Sequence, residues 1–396
     1  MKVLVTGAQG FVGSNLVWSL RNIVDGFDRR EWVQPLRPLE VLEAMRHTTP
    51  EELASMCAEA DFVVHLAGCS RPKQPAEFMA VNRDLTAELL GYLEQAGNTC
   101  PVMLASSRQA SLEGRFANSA YGKSKREAEE LVAAHAQATG ARALVYRLPN
   151  LYGKWGRPNY NSVVATFCHN ASRGIPLRVD DPAVKLELLF VNDLVEELLR
   201  AMLGQERRLD GIFCEALPTY RTTVGELART IERFAAMRTT LEVPSSEPGS
   251  LEKRLMATYQ SYLPSDGLSY ELDAHADERG AFAEFLRTPE RGQVSVATCK
   301  PGQVRGRHWH HGKWEKFLAV GGEGVVRLRR VGTDEAGEPY PVTEIPVGGG
   351  ALRVVETPPG WTHEIVNTSA TEDLVLVIWA NEAFDPGRPD TYFMEV

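Results

Sequence analysis

The first thirteen residues, MKVLVTGAQGFVG, leave the chain few folds to choose from. Val3, Leu4 and Val5 form an uninterrupted branched and aliphatic run, the pattern of a strand buried on both faces of a parallel sheet. The run stops at Thr6, and glycines follow at 7, 10 and 13. Gly7 turns the chain, Gly10 lets backbone approach a pyrophosphate, and Gly13 lets the next helix pack closely on the strand. Phe11 and Val12 open that helix, whose N-terminus offers free N–H groups to phosphates. The stretch predicts a dinucleotide site at the head of a doubly wound α/β domain. Ordinary turns also contain glycine triads, so the reading needs support from residues further along the chain.

With 396 residues the chain exceeds what one core organises, and two domains are expected. No apolar run approaches the ~18 residues of a membrane span. The N-terminal apolar run ends directly in glycine-loop chemistry, which reads as a first strand and not a signal peptide, so a cytoplasmic protein is expected. The six cysteines are scattered without a CxxC pair, against both a disulfide framework and a cysteine zinc site. A formal charge of -9 without a Lys/Arg cluster removes the electrostatic basis for binding duplex nucleic acid.

Ser14 to Arg21 continues the first helix, and Trp32 to Leu36 reads as a second strand. Arg37 comes next, where a carboxylate would bind the ribose 2′-OH of NAD and an arginine pairs with a 2′-phosphate, so NADPH is the expected cofactor. The alternative is a solvated Arg37 and a second strand nearer Asp25 or Asp28. Thr49, Pro50 and Glu52 form a capping box with proline at the first helical position. DFVVHLAG, from Asp61 to Gly68, is a further buried strand whose end, Leu66 and Ala67, should line the cofactor cleft; His65 within it reads as a satisfied core histidine. Glu77 to Gln95 has helical periodicity, and Val102 to Ala105 is a strand ending in Ser106 and Ser107.

Tyr121 and Lys125 stand four apart at the start of a helical stretch. One turn separates them, so phenol and ammonium share a face, and the positive charge should lower the phenol's pKa. Taken with TGAQGFVG, HLAG, Ser106-Ser107 and RLPNLYG (147–153), this pair makes residues 1 to 245 resemble the extended short-chain dehydrogenase/reductases that act on nucleotide sugars. The resemblance implies that Ser107 polarises a substrate carbonyl, with Ser106 as the fallback, that Tyr121 exchanges the proton, and that Lys125 holds the nicotinamide ribose. Asn150, Asn159, Tyr160 and Asn161 are polar enough to meet a nucleotide or hexose, or to stabilise their own loop. LELLFVNDLVEELL (186–199) resembles the family's strand-to-helix element beneath the sugar.

SSEPGS (245–250) is the expected boundary, giving domains 1–247 and 267–396 joined by a bridging helix within 248–266. Beyond it, strand-like runs at 293–299, 315–320, 324–330, 350–355 and 373–380 alternate with Gly, Pro and Asn turns, which predicts an antiparallel β-barrel or sandwich. His308 and His310 face one side of a strand; Glu315 can return from the next turn and His363 from a later strand, a set suited to zinc or another divalent transition metal. The spacing of Gly302, HxH, Glu315 and Gly322 resembles the first motif of the cupin jelly-roll family, and Pro358xGly360xxHis363xxxAsn367 its second. Asp277 to Glu284 resembles the entry strand of dTDP-sugar 3,5-epimerases, which implies that Arg279 meets a diphosphate and leaves His308 open as ligand or as proton-abstracting base.

Together with RGQVSVATCKPG and the terminal PDTYFMEV, these stretches resemble the CapF/WbjC type of bifunctional capsular or O-antigen sugar enzyme along the whole chain. What that implies is a cytoplasmic homodimer that converts UDP-2-acetamido-2,6-dideoxy-β-L-arabino-hexos-4-ulose to UDP-2-acetamido-2,6-dideoxy-β-L-talose. The cupin would epimerise C3 and the NADPH-dependent domain would reduce C4. Two other readings stay open: a redox-neutral NAD-dependent epimerase with a structural cupin, and a non-enzymatic NADP(H) sensor. Against the sensor stands the Tyr121/Lys125 pair.

Overall fold

The N-terminal apolar run and its glycine loop form strand β1 (Lys2–Thr6) and helix α1 (Phe11–Val24) in the computed structural model, which describes every residue except Pro75. The chain falls into two units, Met1–Glu232 with Gly249–Pro264, and Arg233–Pro248 with Ser265–Val396. The strands of the first are, after β1, β2 (Glu40–Ala44), β3 (Phe62–His65), β4 (Val102–Ser107), β5 (Ala143–Leu148), β6 (Asn150–Tyr152), β7 (Lys185–Phe190), β8 (Arg208–Asp210), β9 (Phe213–Cys214) and β10 (Thr219–Thr223). A seven-stranded sheet runs β2-β1-β3-β4-β5-β9-β8, parallel except for β8 against β9. Strands β10, β7 and β6 form a small second sheet.

Alternation along β1 explains its unbroken hydrophobicity. Val3 and Val5 pack with Leu16 and Leu20 of α1 and with Leu194 and Leu198, whereas Leu4 packs on the other face with Leu89, Leu93 and Val132. Each such side chain removed from water contributes roughly 1.5–3 kcal/mol. The helices over these faces include α2 (Pro50–Glu59), with Thr49 and Glu52 in the expected reciprocal cap. The stretch expected as one helix from Glu77 to Gln95 is instead α3 (Glu77–Met79), a π-turn at Ala80–Asp84, and α4 (Leu85–Gln95). Helix α5 (Ala120–Thr139) starts on a Ser119 cap and ends at Gly140 in the left-handed region, φ 76°. The remaining helices are α6 (Val163–Ala171), α7 (Val191–Met202), α8 (Val224–Thr240) and α9 (Leu251–Gln260).

Two expectations are corrected here. Trp32 to Leu36 is a turn of 3-10 helix spanning Glu31–Leu36, and the second strand is Glu40–Ala44. The apolar residues buried there, Val33 and Leu36, are three apart, a helical spacing, and Pro35 has no N–H for a sheet ladder. The bridging helix is not a linker, because α9 belongs to the first unit while residues 233–248 go with the second. Leu255, Thr258 and Tyr259 are buried on α9, Arg254 pairs with Asp193 at 2.9 Å, and the Tyr262 hydroxyl lies 2.7 Å from the Gly156 carbonyl.

The named strands of the second unit pair antiparallel: β11 (His275–Asp277), β12 (Gly280–Thr288), β13 (Gly292–Cys299), β14 (Val304–Trp309), β15 (Glu315–Gly321), β16 (Glu323–Arg330), β17 (Thr343–Gly348), β18 (Val354–Thr357), β19 (Trp361–Asn367), β20 (Leu374–Ala380) and β21 (Tyr392–Phe393). They build a six-stranded sheet, β11-β12-β13-β20-β15-β18, and a five-stranded one, β17-β16-β19-β14-β21. Phe317, Leu374 and Leu376 from the first sheet meet Val326, Leu328 and Ile365 from the second in one core. Among the described residues no helix is long and apolar enough to cross a membrane.

Candidate functional sites

At the carboxyl ends of β1, β3 and β4 a cleft of about 800 Å³ opens, lined by Gly10, Phe11 and Val12 on one side and Ser107, Tyr121 and Lys125 on the other, with Leu66 between them. The three glycines hold the loop in distinct ways. Gly7 has φ 68°, and a side chain there would lie 2.9 Å from the Ala67 nitrogen; one on Gly13 would lie 2.1 Å from the Gly7 carbonyl oxygen. Gly10 is the N-cap of α1, with no side-chain cap bond and no acidic residue in the first turn. That end of the helix therefore presents amide hydrogens and partial positive charge to the cleft. Gly7, Gly13 and Ala67 shape this floor without lining it.

Arg37 is not in this cleft. It precedes β2 at the opposite end of the sheet, where Nη2 donates to the Val24 carbonyl at 3.3 Å and the chain N-terminus donates to the Pro38 carbonyl. Arg46 and His47 follow the carboxyl end of β2 and are both exposed. The Gly7 N–H donates to the Ala44 carbonyl at 3.0 Å, which holds the end of β2 beside the glycine loop.

The register of β4 separates the two serines. Ser106 is buried and its hydroxyl donates to Glu129, which is also held by a bidentate Arg147 at 2.6 Å. Ser107 faces the other way, lining the cleft with Tyr121, and its hydroxyl accepts from the Gln109 N–H at 3.2 Å. Burial pushes the Tyr121 phenol's pKa up against the lowering effect of the Ser107 hydroxyl, the reverse of the expected direction, so the group stays protonated at neutral pH. Lys125 is buried one turn along α5 and its ammonium donates to the Ala105 carbonyl at 2.9 Å. Burial brings it down to about 8, with the Glu129 carboxylate opposing the fall.

The π-turn supplies a residue the sequence did not single out. Asn82 accepts from the Cys69 N–H at 2.8 Å and donates to the Cys69 carbonyl and to Ser124, pinning the Gly68–Cys69 backbone over Lys125. His65 is a satisfied core histidine, with Thr6 and Thr86 hydroxyls 2.7 and 3.0 Å from its two ring nitrogens; burial takes its pKa down to about 3. Asn150 and Asn161 both line the cleft, beside Tyr160.

The second unit gathers His308, His310, Glu315 and His363, one donor atom from each within 4.8 Å of the others. His308 and His363 face each other across the β14–β19 pair, Nε2 to Nε2 at 3.1 Å; Glu315 Oε2 is 3.4 Å from His363 Nε2 and 3.7 Å from His310 Nε2. Four ligands about 2.1 Å from a tetrahedral zinc stand about 3.4 Å apart, so these spacings fit such an ion. His310 Nε2 is buried and without a hydrogen-bond partner among the described residues, as is His363 Nδ1. Burial opposes a charge on Glu315, but the His310 and His363 imidazoles outweigh it and hold the carboxyl below the ordinary range. Burial and the neighbouring His363 bring His308 down to about 4, so its imidazole is neutral and its lone pair available.

A cavity of about 270 Å³ reaches this cluster, lined by Arg279, Gln293, Ser295 and Arg305 as well as His308, Glu315 and His363. Asp277 accepts from Arg279 and lies 3.6 Å from Arg305, which leaves two guanidinium groups and one carboxylate at the cavity's edge. Arg305 was not among the residues expected from the sequence.

The profile of the NAD dependent epimerase/dehydratase family matches residues 3–211, and that of the polysaccharide biosynthesis C-terminal domain matches residues 275–392. A UDP-2-acetamido-2,6-beta-L-arabino-hexul-4-ose reductase of Pseudomonas aeruginosa is 39% identical over 396 residues, covering 100% of this chain and 99% of the relative. The crystal structure of the capsular polysaccharide assembling protein CapF from Staphylococcus aureus superposes with a TM-score of 0.87 at 40% identity, with 100% of both chains covered. A UDP-glucuronic acid decarboxylase of Arabidopsis thaliana is 27% identical over 239 residues, 52% of this chain and 67% of that one.

Proposed function

From the premise that the chain belongs to the NAD dependent epimerase/dehydratase family, and over its full length to the group that includes CapF, we propose that it is a two-site enzyme acting on a UDP-linked 4-keto-6-deoxy amino sugar. The first unit reduces C4 of the sugar with NADPH, and the second epimerises C3. The substrate is UDP-2-acetamido-2,6-dideoxy-β-L-arabino-hexos-4-ulose and the product UDP-2-acetamido-2,6-dideoxy-β-L-talose. The observation that carries the reading is the cleft that Ser107, the Tyr121 phenol and the buried Lys125 ammonium line together with an uncapped helix N-terminus.

In the reduction Ser107 and Tyr121 would hold the ketone oxygen and the Tyr121 phenol would give its proton to the oxygen as C4 is reduced; a nicotinamide bound in the cleft would supply the hydride. The phenol's raised pKa keeps that proton in place until charge develops on the substrate. Lys125 holds the nicotinamide ribose and Arg46 the 2′-phosphate that distinguishes NADPH. Asn150 and Asn161 contact the nucleotide sugar.

In the second unit His308, His310, Glu315 and His363 would hold a divalent ion, zinc on the three-imidazole, one-carboxylate donor set. When bound, such an ion supplies charge stabilisation for the enolate oxygen formed when the proton beside a 4-ketone leaves. The chain's own part is to keep the imidazoles neutral and oriented, and to place Arg279 and Arg305 for the diphosphate. A cytoplasmic homodimer completes the proposal.

Incubating the enzyme with this 4-ketosugar and NADPH, with the products identified by NMR, tests the assignment. NADPH should be consumed and the sugar reduced at C4 with C3 inverted. A 4-ketosugar that oxidises no NADPH, or a product that keeps the original C3 configuration, overturns it.

A further inference from the structure

Strand β14 ends at Trp309, so His310 and the next three residues lie outside its ladder. What holds them comes from the far end of the chain. The Asp390 carbonyl accepts a hydrogen bond from His310 Nδ1. The carboxylate of the same residue accepts from three consecutive backbone N–H groups, His311 at 2.8 Å, Gly312 at 2.8 Å and Lys313 at 3.0 Å. The residues after it clamp β14 along its length. Tyr392 and Phe393 pair with Trp309 and His308, the Met394 N–H donates to the Arg307 carbonyl at 2.9 Å, and Glu395 pairs with Arg307 at 2.9 Å.

A carbonyl can only accept, so an imidazole bound to it through Nδ1 must carry its hydrogen there and leave the Nε2 lone pair free. His310 Nε2 is the buried nitrogen that lacks a partner and lies 3.7 Å from Glu315. Beyond that bond to Asp390, the His310 backbone is tied through its carbonyl, which accepts from the Gly360 N–H at 2.8 Å.

We propose that Asp390 is the positioning residue of the His308/His310/Glu315/His363 cluster: its carboxylate fixes the loop that carries His310 and so keeps the ring's Nδ1 on the Asp390 carbonyl, with Nε2 turned to the cluster. The inference rests on the metal reading of that cluster. Asp390 touches neither substrate nor the ion; it acts through His310. Outer partners of this kind change metal affinity by about 10–100-fold when they are removed.

The test uses the full-length chain, stripped of metal and titrated with zinc against a competing chromophoric chelator. Asp390→Ala should bind zinc about 10–100-fold more weakly. Asp390→Asn, which keeps one acceptor oxygen for the three N–H groups, should fall between it and the wild type. NADPH binding should stay within about twofold of wild type in both, and the absorption of bound cobalt(II) should change in Asp390→Ala, a readout of ligand geometry that a merely structural role would not move. If Asp390→Ala does not fold, Asp390→Asn carries the test, with the absorption of bound cobalt(II) reporting ligand geometry. Wild-type zinc affinity in the variants overturns the inference while leaving the metal reading intact. A wild-type chain that takes up no zinc overturns the metal reading itself, and this inference with it.

Discussion

Lys125 and His310 are both buried nitrogen bases beside a carboxylate, yet the chain treats them differently. Lys125 donates to the Ala105 carbonyl, and the carboxylate near it, Glu129, is saturated by Arg147 and Ser106. His310 has one nitrogen on the Asp390 carbonyl and the other facing Glu315 and two more imidazoles, buried without a hydrogen-bond partner among the described residues. An unpaired buried polar atom carries a desolvation cost of about 1–3 kcal/mol that folding alone does not recover. The contrast separates two kinds of site. Lys125 and Glu129 find their partners within the chain beside an open cleft, whereas the cluster in the second unit keeps His310 Nε2 and His363 Nδ1 buried without partners among the described residues, the arrangement that suits the cation proposed for it.

Breaking the contrast from the metal side should have the largest effect. Substituting Glu315→Ala, or stripping the protein with a chelator, should abolish deuterium incorporation at C3 of the 4-ketosugar in heavy water without NADPH, and NADPH titrations should be unchanged. Normal exchange in either case would make the second unit structural.

Tyr121→Phe breaks it from the other side. NADPH oxidation should fall by about 10²–10⁴-fold, the usual contribution of a positioned acid, while C3 exchange persists and the cofactor still binds. Reduction at near wild-type rate would remove Tyr121 from the mechanism.

A smaller effect is expected at the end of β2. Arg46→Ala should weaken NADPH by about tenfold, roughly 1.4 kcal/mol, and NADH little. Arg37→Ala should leave both within about twofold. Equal losses of NADPH and NADH in Arg46→Ala would speak against recognition of a 2′-phosphate there.

The pH profile of reduction sharpens the comparison most finely. Burial lowers the Lys125 pKa to about 8 while the Tyr121 phenol is raised, so the ammonium is the first of the pair to lose its proton as pH rises. Rates limited by that charge should be full below about pH 8 and fall above it. Glu129→Gln removes the carboxylate that favours the ammonium and should move the fall to lower pH, with a loss of roughly a few-fold at pH 8. An unmoved profile would show that Glu129 holds structure without tuning charge.

Much of this was legible before any fold was known, and the misses have physical causes. EVLEA, the true second strand, is an edge strand flanked by glutamates, so it lacks the continuous apolar signature that made β1 and β3 readable. In the preceding EWVQPL, Val33 and Leu36 are apolar because they seal the core from a helical turn. Misplacing that strand carried Arg37 to the wrong end of the sheet. The phenol's direction was missed for another reason. Spacing of four residues puts Tyr121 and Lys125 on one face of α5, but how deeply that face is buried depends on β4 and the π-turn packed over it.

Local spacing by itself determined the chemistry that lies within a turn or two of chain: the glycine loop, the Tyr121/Lys125 pair, the Thr49/Glu52 capping box and the HxH with Glu315. These are short-range because a helix repeats every 3.6 residues and a strand every two, so residue type and interval already state which side chains share a face. Only the tertiary structure decided which serine lines the cleft, that Arg37 stands away from the glycine loop, and what holds His310. The last is the plainest case. Asp390 lies 80 residues from His310 and meets it through a backbone carbonyl, a group every residue possesses, so no side-chain pattern could announce it before the chain had closed on itself.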